Sequence, residues 1–356
     1  LWEPSSDIDK YGTTLALELL PHFTDGRIGS MEGLYFESAG TTPFHFLAVS
    51  ELTAPGKASN PVRGLSYGSI EEFDLGVRHL QMLGVRYFLT QSPEAAARAD
   101  AHDDLEFVAE SPDLDGQLPN GWRIYEVQDA PLVEGLAFEP VVASTESGTQ
   151  SECFGAPPPG KDPDLSAWEC AAAPWWRNLR PHSNTTQFSA LDRPFTDDGP
   201  DSWARIDIAD YADQRFERLD EVDVSDIVEE PDRISFRVSE PGVPVLVKAS
   251  YFPNWEVSGA EGPYRIAPNF MVVVPTEREV TLTYGLTSAD WLGRLLFLGG
   301  LVGLGLLVAR KPAWLWTSGA PDDGPTVDPD PDPADPDADP DDPDGTMLRP
   351  PVDHVY

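Results

Sequence analysis

The chain has 356 residues, 40% of them apolar, enough for two or three domains with real cores. Its formal net charge is −37, and setting aside the eleven aspartates of residues 321–345 still leaves −26. So acidic a surface repels nucleic-acid phosphates, which sets aside a DNA- or RNA-binding role.

In chain order, residues 14–20 read as a short helix stopped by Pro21. A glycine- and aromatic-rich loop follows over residues 23–46, carrying Glu32, Glu37 and His45. Loops often carry function because a rigid frame presents them, so Glu32 and His45 are candidate substrate contacts; the competing reading is that they are merely solvated. Phe73, Val77, Leu80 and Leu83 fall at helical spacing on one face, and Gly84 ends that helix. His79 lies beside the apolar stripe and reads as structural.

Residues 85–89 read as a buried strand, 93–101 as a second helix, and 105–109 as another strand. Asn120-Gly121 is a tight-turn pair leading into a strand over 122–127. Residues 1–140 thus form a small α/β region. Residues 141–202 read as irregular and contain both cysteines, Cys153 and Cys170. That spacing, with no histidine cluster nearby, is not a zinc pattern; in an oxidising compartment it reads as one disulfide. Trp168, Trp175 and Trp176 crowd the same stretch, suited either to packing or to stacking on sugars, with packing favoured. Asn184-Thr185-Thr186 is formally a glycosylation sequon.

From 203 to 286 the chain turns all-β. Ile234, Phe236 and Val238 alternate with Arg233, Ser235 and Arg237, as in a half-buried strand. Runs at 243–249, 271–274 and 280–284 supply further strands, separated by turns at Gly242, Gly259, Gly262-Pro263 and Pro275. An antiparallel β-sandwich is predicted.

Residues 291–309 read WLGRLLFLGGLVGLGLLVA, with no polar side chain from Leu295 to Ala309. Such a helix is ~28 Å long, close to the ~30 Å hydrocarbon core of a bilayer, and Trp291, Trp314 and Trp316 flank it as an aromatic belt would. The alternative is a buried core helix. Arg310 and Lys311 put the following end in the cytoplasm by the positive-inside rule, so residues 1–290 would be extracytoplasmic. Gly299 and Gly303 form a G-x-x-x-G pair that lets another helix approach. With no signal peptide ahead of it, the chain reads as the C-terminal piece of a polytopic protein whose upstream helices are its partners, along with the lipid bilayer. Membrane helix and flanks occupy 287–316. Residues 317–356, where aspartate alternates with proline, read as a disordered cytoplasmic tail. The fold class is therefore α+β: a small α/β layer, a β-sandwich, one transmembrane helix and an acidic tail.

No phosphate-binding glycine loop, dinucleotide fingerprint, nucleophile elbow or H-E-x-x-H is present in the sequence. No metal site, cofactor or self-contained catalytic set is expected in this stretch.

Three blocks, TDGRIGSMEGLYFESAGTTPFHF, LGVRHLQMLGVRYFLT with WRIYEVQDAPLVEG, and VLVKASYFPNWEVSGAEGPYRIAPNFMVVVPTEREVTLTYG, resemble the C-terminal extracytoplasmic part of large actinobacterial membrane proteins. These are similar to the YfhO-like group and to membrane proteins labelled as related to 6-pyruvoyl-tetrahydropterin synthase, with an architecture like that of GT-C glycosyltransferases. The resemblance implies a protein that moves sugars from polyprenyl-phosphate donors in cell-envelope biosynthesis, with its catalytic carboxylate in an earlier external loop. The alternative is a non-catalytic, membrane-anchored envelope module that binds glycan or a partner protein. Within SYFPNWEV, Tyr251, Asn254 and Trp255 are the candidate sugar contacts, an aromatic face plus an amide suiting a pyranose; Trp255 would otherwise plug the sandwich core.

Overall fold

The computed structural model describes residues 1–3, 16–29, 40–56, 58, 60–62, 65–111, 121–145, 166–177 and 192–310. Glu32, Cys153, Asn120, the sequon and the acidic tail lie outside them. The fold is α+β, in two units, Leu1–Ala289 and a second beginning at Asp290.

The small α/β layer forms as its periodicity predicts. Helix α3 (Phe73–Met82) buries Phe73, Val77 and Leu80. Gly84 ends it at φ 65°, where the Val85 N–H reaches back to the Leu80 carbonyl at 2.9 Å. Strand β1 (Tyr87–Thr90) follows, then α4 (Pro93–Asp100), whose Ser92 cap accepts from the Ala95 N–H. Strands β2 (Leu105–Glu110) and β3 (Arg123–Val127) complete a three-stranded antiparallel sheet in the order β1-β3-β2.

Three expectations change. Pro21 does not stop a helix: it sits in the first turn of α1 (Leu20–Phe23), where a missing N–H costs nothing, after a 3-10 turn over Ala16–Leu19. His45 and Phe46 are not in a loop but in α2 (Thr42–Leu52), buried from Pro43 to Leu52. The stretch after residue 140 is not wholly irregular: beyond β4 (Val133–Gly135), which precedes it, it holds β5 (Val141–Ser144) and helix α5 (Ala167–Trp176). Ser166 and Glu169 form a capping box at the start of α5. Cys170 on that helix is disulfide-bonded.

The remaining strands are β6 (Phe195–Thr196), β7 (Arg205–Asp207), β8 (Val224–Glu230), β9 (Arg233–Val238) and β10 (Val245–Val247). After them come β11 (Trp255–Ser258), β12 (Ala260–Ile266), β13 (Phe270–Pro275) and β14 (Glu279–Tyr284). A seven-stranded sheet runs β4-β10-β13-β12-β6-β5-β7, and a four-stranded one β11-β14-β9-β8. Both are antiparallel apart from β5, which pairs parallel with β6 and β7. Gly262-Pro263 is not a turn but a register shift inside β12, between Glu261 and Tyr264. Gly259 does turn the chain, at φ 77°, with the Glu279 carbonyl oxygen 2.1 Å from where a Cβ would stand.

The two sheets pack face to face. Ile234, Phe236 and Leu282 of the smaller sheet meet Val245, Val247, Met271 and Val273 of the larger. Leu246 and Val272 point the other way, into a second core with Phe44, Leu47, Val77, Leu80, Trp175 and Trp176. Strands β10 and β13 are thus covered on both faces, which is why VLV and MVVV are unbroken apolar runs.

Helix α6 (Ser288–Arg310) has 23 residues, ~34 Å at the usual rise, and none of them is buried. It is long and apolar enough to cross a membrane.

Candidate functional site

The most heavily charged buried cluster joins α2, α3 and α5. Glu51 on α2 and His79 on α3 are wholly buried, 2.5 Å apart through His79 Nδ1. Glu51 also accepts from Arg177 Nη1 at 2.7 Å, and Arg177 Nη2 reaches both oxygens of Glu72 at 3.0 Å. His79 Nε2 faces the Trp176 carbonyl at 2.8 Å, and its ring stacks on Trp176 at 4.1 Å. A carbonyl only accepts, so Nε2 carries a hydrogen. Glu51, His79 and Arg177 are buried while the Glu72 side chain is 40% exposed, so the set clamps α2, α3 and the end of α5 together and reaches solvent only through Glu72. It is structural, as expected for His79.

The candidate sugar contacts do not converge. The Asn254 amide donates to the Gly285 carbonyl at 3.0 Å, fastening the end of the small sheet. Trp255 opens β11 opposite Tyr284, edge-on at 5.3 Å, and packs partly against the sandwich core. His45 is 4% exposed. Tyr251 turns elsewhere: its N–H donates to the Asn269 carbonyl at 2.8 Å, beside a polar group that the sequence reading missed.

That group is built on the loop between β12 and β13. Asn269, 3% exposed, accepts from Arg265 Nε at 2.7 Å through Oδ1. The Arg265 guanidinium lies 4.3 Å from the Trp168 ring centre, and Trp168, 4% exposed, is itself held by a 2.7 Å bond from Nε1 to the Pro268 carbonyl. Across the β6–β12 pairing, the Asp197 N–H faces the Arg265 carbonyl at 3.4 Å. Gly40 packs on the same Asn269, where a Cβ would stand 2.7 Å from the amide, and Thr41 and Ser250 share a hydrogen bond of 2.9 Å.

These groups feel one another. Burial pushes the Tyr251 hydroxyl up, with Asp197 adding to the rise and Arg265 opposing it. Burial raises the Asp197 carboxyl and Arg265 pulls it back. Burial lowers Arg265 while Asp197 and Glu169 support its charge. Sequence could have flagged the place by one sign: arginine and asparagine four apart around Pro268, in a chain poor in basic residues. Among the described residues, no group of three or more histidines, cysteines or carboxylates is placed to hold a metal ion.

Fold and site together define an α+β unit carrying an exposed apolar helix at one end of its sequence and a cationic, aromatic-backed polar cluster on its larger sheet. No family model, curated protein or solved structure matches the chain.

Proposed function

We propose that this chain is the extracytoplasmic, membrane-anchored part of an integral membrane protein that acts on cell-envelope glycans. In this reading it is the acceptor-facing domain of a GT-C-like transferase using polyprenyl-phosphate-linked sugars. The observation that carries the membrane half is α6, whose leucines from Leu295 to Leu307 stand roughly half to two-thirds exposed. A water-soluble surface rarely tolerates so long an apolar face. Arg310 in the last turn is a basic residue of the kind the positive-inside rule puts on the cytoplasmic side, which supports an outward folded unit. Catalysis would belong to membrane helices and loops ahead of this stretch.

A second reading, a non-catalytic module that binds glycan, is favoured by the polar cluster at Arg265, whose side chains suit holding a ligand. Two measurements test the proposal. Alkaline extraction with protease protection should leave the full chain in the membrane, cleavable on the face that carries residues 1–290. Membranes containing the intact protein should transfer labelled sugar from a polyprenyl-phosphate donor; glycan binding without transfer selects the module, and a freely soluble chain sinks both.

A further inference from the structure

We propose that Arg265, Asp197 and Tyr251 form a binding subsite for a neutral polyhydroxylated ligand, a pyranose unit of a glycan. The inference rests on the glycan reading above and names where, and for what chemistry, that ligand is held.

Arg265 is fixed in a way a solvated surface arginine is not. Its Nε is committed to the buried Asn269, and its plane rests against the buried Trp168 ring. Those contacts orient the guanidinium at little entropic cost on binding. Its two terminal nitrogens have no hydrogen-bond partner among the described residues, and neither does the Tyr251 hydroxyl. Asp197 directly follows β6, its N–H facing the Arg265 carbonyl at 3.4 Å; the residue is exposed as a whole while its carboxyl is partly desolvated. It acts on Arg265 through charge without closing a direct ion pair.

The ordinary alternative is a loose surface ion pair. Such a pair needs neither an asparagine nor an indole buried behind the arginine, and it would close on itself. What stands here is a pre-oriented donor fork, a carboxylate held by its local backbone N–H groups with acceptor capacity left over, and a phenol able to donate and accept. A sugar hydroxyl that donates to the Asp197 carboxylate while accepting from Arg265 uses both at once, and an adjacent hydroxyl can meet Tyr251.

The surrounding charge selects neutral ligands. Asp198 raises Asp197 and Tyr251 in addition to the effects within the trio, and Glu169 acts on Arg265. With −37 on the whole chain, a phosphate or uronate would enter against the field.

The test uses the full chain in nanodiscs, with saturation-transfer NMR for methyl mannoside, methyl galactoside and methyl arabinoside and 31P line broadening for inorganic phosphate. Transfer is expected to one or more glycosides, and no broadening of the phosphate signal. Asp197→Asn and Tyr251→Phe each change only exposed or half-exposed polar atoms, and each should weaken binding about tenfold with the thermal midpoint unchanged; Arg265→Met should abolish it. Glycoside binding that survives all three substitutions overturns this subsite and leaves the glycan reading standing. Phosphate binding that is lost on Arg265→Met overturns the neutral-ligand assignment. Absence of any response from glycosides, and from envelope oligosaccharides on an array, removes the glycan reading and the subsite together.

Discussion

At the scale of single residues, carboxylates buried near the start of the chain and in the helix clamp carry large, separable contributions. Glu3, 1% exposed, accepts from the Thr90 hydroxyl at 2.7 Å, from the Gln91 and Ser92 N–H groups at 3.0 and 2.8 Å, and from the Ala54 N–H at 3.1 Å. Burial alone would raise this carboxyl, but the donors outweigh it and hold the group below the ordinary value of 4.5. The sign follows: the stabilisation is complete above the unfolded carboxyl's titration and is lost as pH falls through the lower folded value. Glu3→Ala strands four donors and should cost about 2–4 kcal/mol at neutral pH. Urea titrations of wild type and variant should converge as the pH drops below the carboxylate range; a gap that stays constant would show that packing, not charge, is lost.

The clamp makes a harsher prediction. Arg177→Met leaves the Glu51 carboxylate, wholly buried, with His79 as its remaining partner, and should cost about 3–5 kcal/mol. Adding Glu51→Gln to that variant should recover part of the loss, because the uncompensated buried charge goes with it. Strict additivity of the two changes in denaturant midpoints would mean that the two side chains act independently.

Among elements, α6 is the one whose role depends on the solvent around it. It has 23 residues and no buried position, and a cation near its middle would have no aqueous refuge in a bilayer. Leu301→Arg should therefore reduce insertion by roughly 2.5–3.5 kcal/mol in a translocon assay. An equal degree of insertion for both forms would argue that α6 packs against protein rather than lipid.

Which elements could be read beforehand follows from how each is buried. Helix α3 and strand β9 show their period because one face meets water. Helix α2 is buried all round, so PFHFLAVSEL has no polar face to betray its period, and from sequence His45 reads as part of a loop. Helix α5 hid likewise behind AWECAAAPWW, though its Ser166–Glu169 capping box stood in plain sight. Strands of two to four residues such as β6 and β7 carry no pattern at all; they exist because of partners elsewhere in the chain. For the same reason the polar cluster shows in the sequence only as Arg265 and Asn269 flanking Pro268. Tyr251 alone belongs to a local motif, SYFPNWEV, whereas Arg265 and Asp197 meet only beside the β6–β12 pairing.

For the molecule as a whole, the decisive fact is where the larger sheet takes its strands. Residues 203–286 read as a self-contained sandwich, yet β4, β5 and β6 of the seven-stranded sheet precede them. β4 pairs with β10 from Val133↔Val247 to Gly135↔Val245, and Val133 is 1% exposed within the inter-sheet core. Lys248, burial lowering its pKa and Glu134 opposing that shift, donates to the Gln81 carbonyl of the α/β layer at 2.7 Å and meets Glu134 at 3.1 Å. Removing everything before residue 203 would strip β10 of one neighbour and leave an apolar edge, VLV, open to other chains. It would also expose the Leu246 and Val272 face that the helices cover. The fragment 203–289 should therefore fail to protect its backbone amides and should aggregate at micromolar concentration. The full chain in detergent should lose the amide protection of α3, β10 and β13 together on a urea ramp followed by hydrogen exchange. Protection of β9, β10 and β14 in the fragment at the same urea midpoint as in the full chain would establish the sandwich as an autonomous domain. Residues 1–202 would then be a separable layer, and the covalent order of strands would carry no folding information.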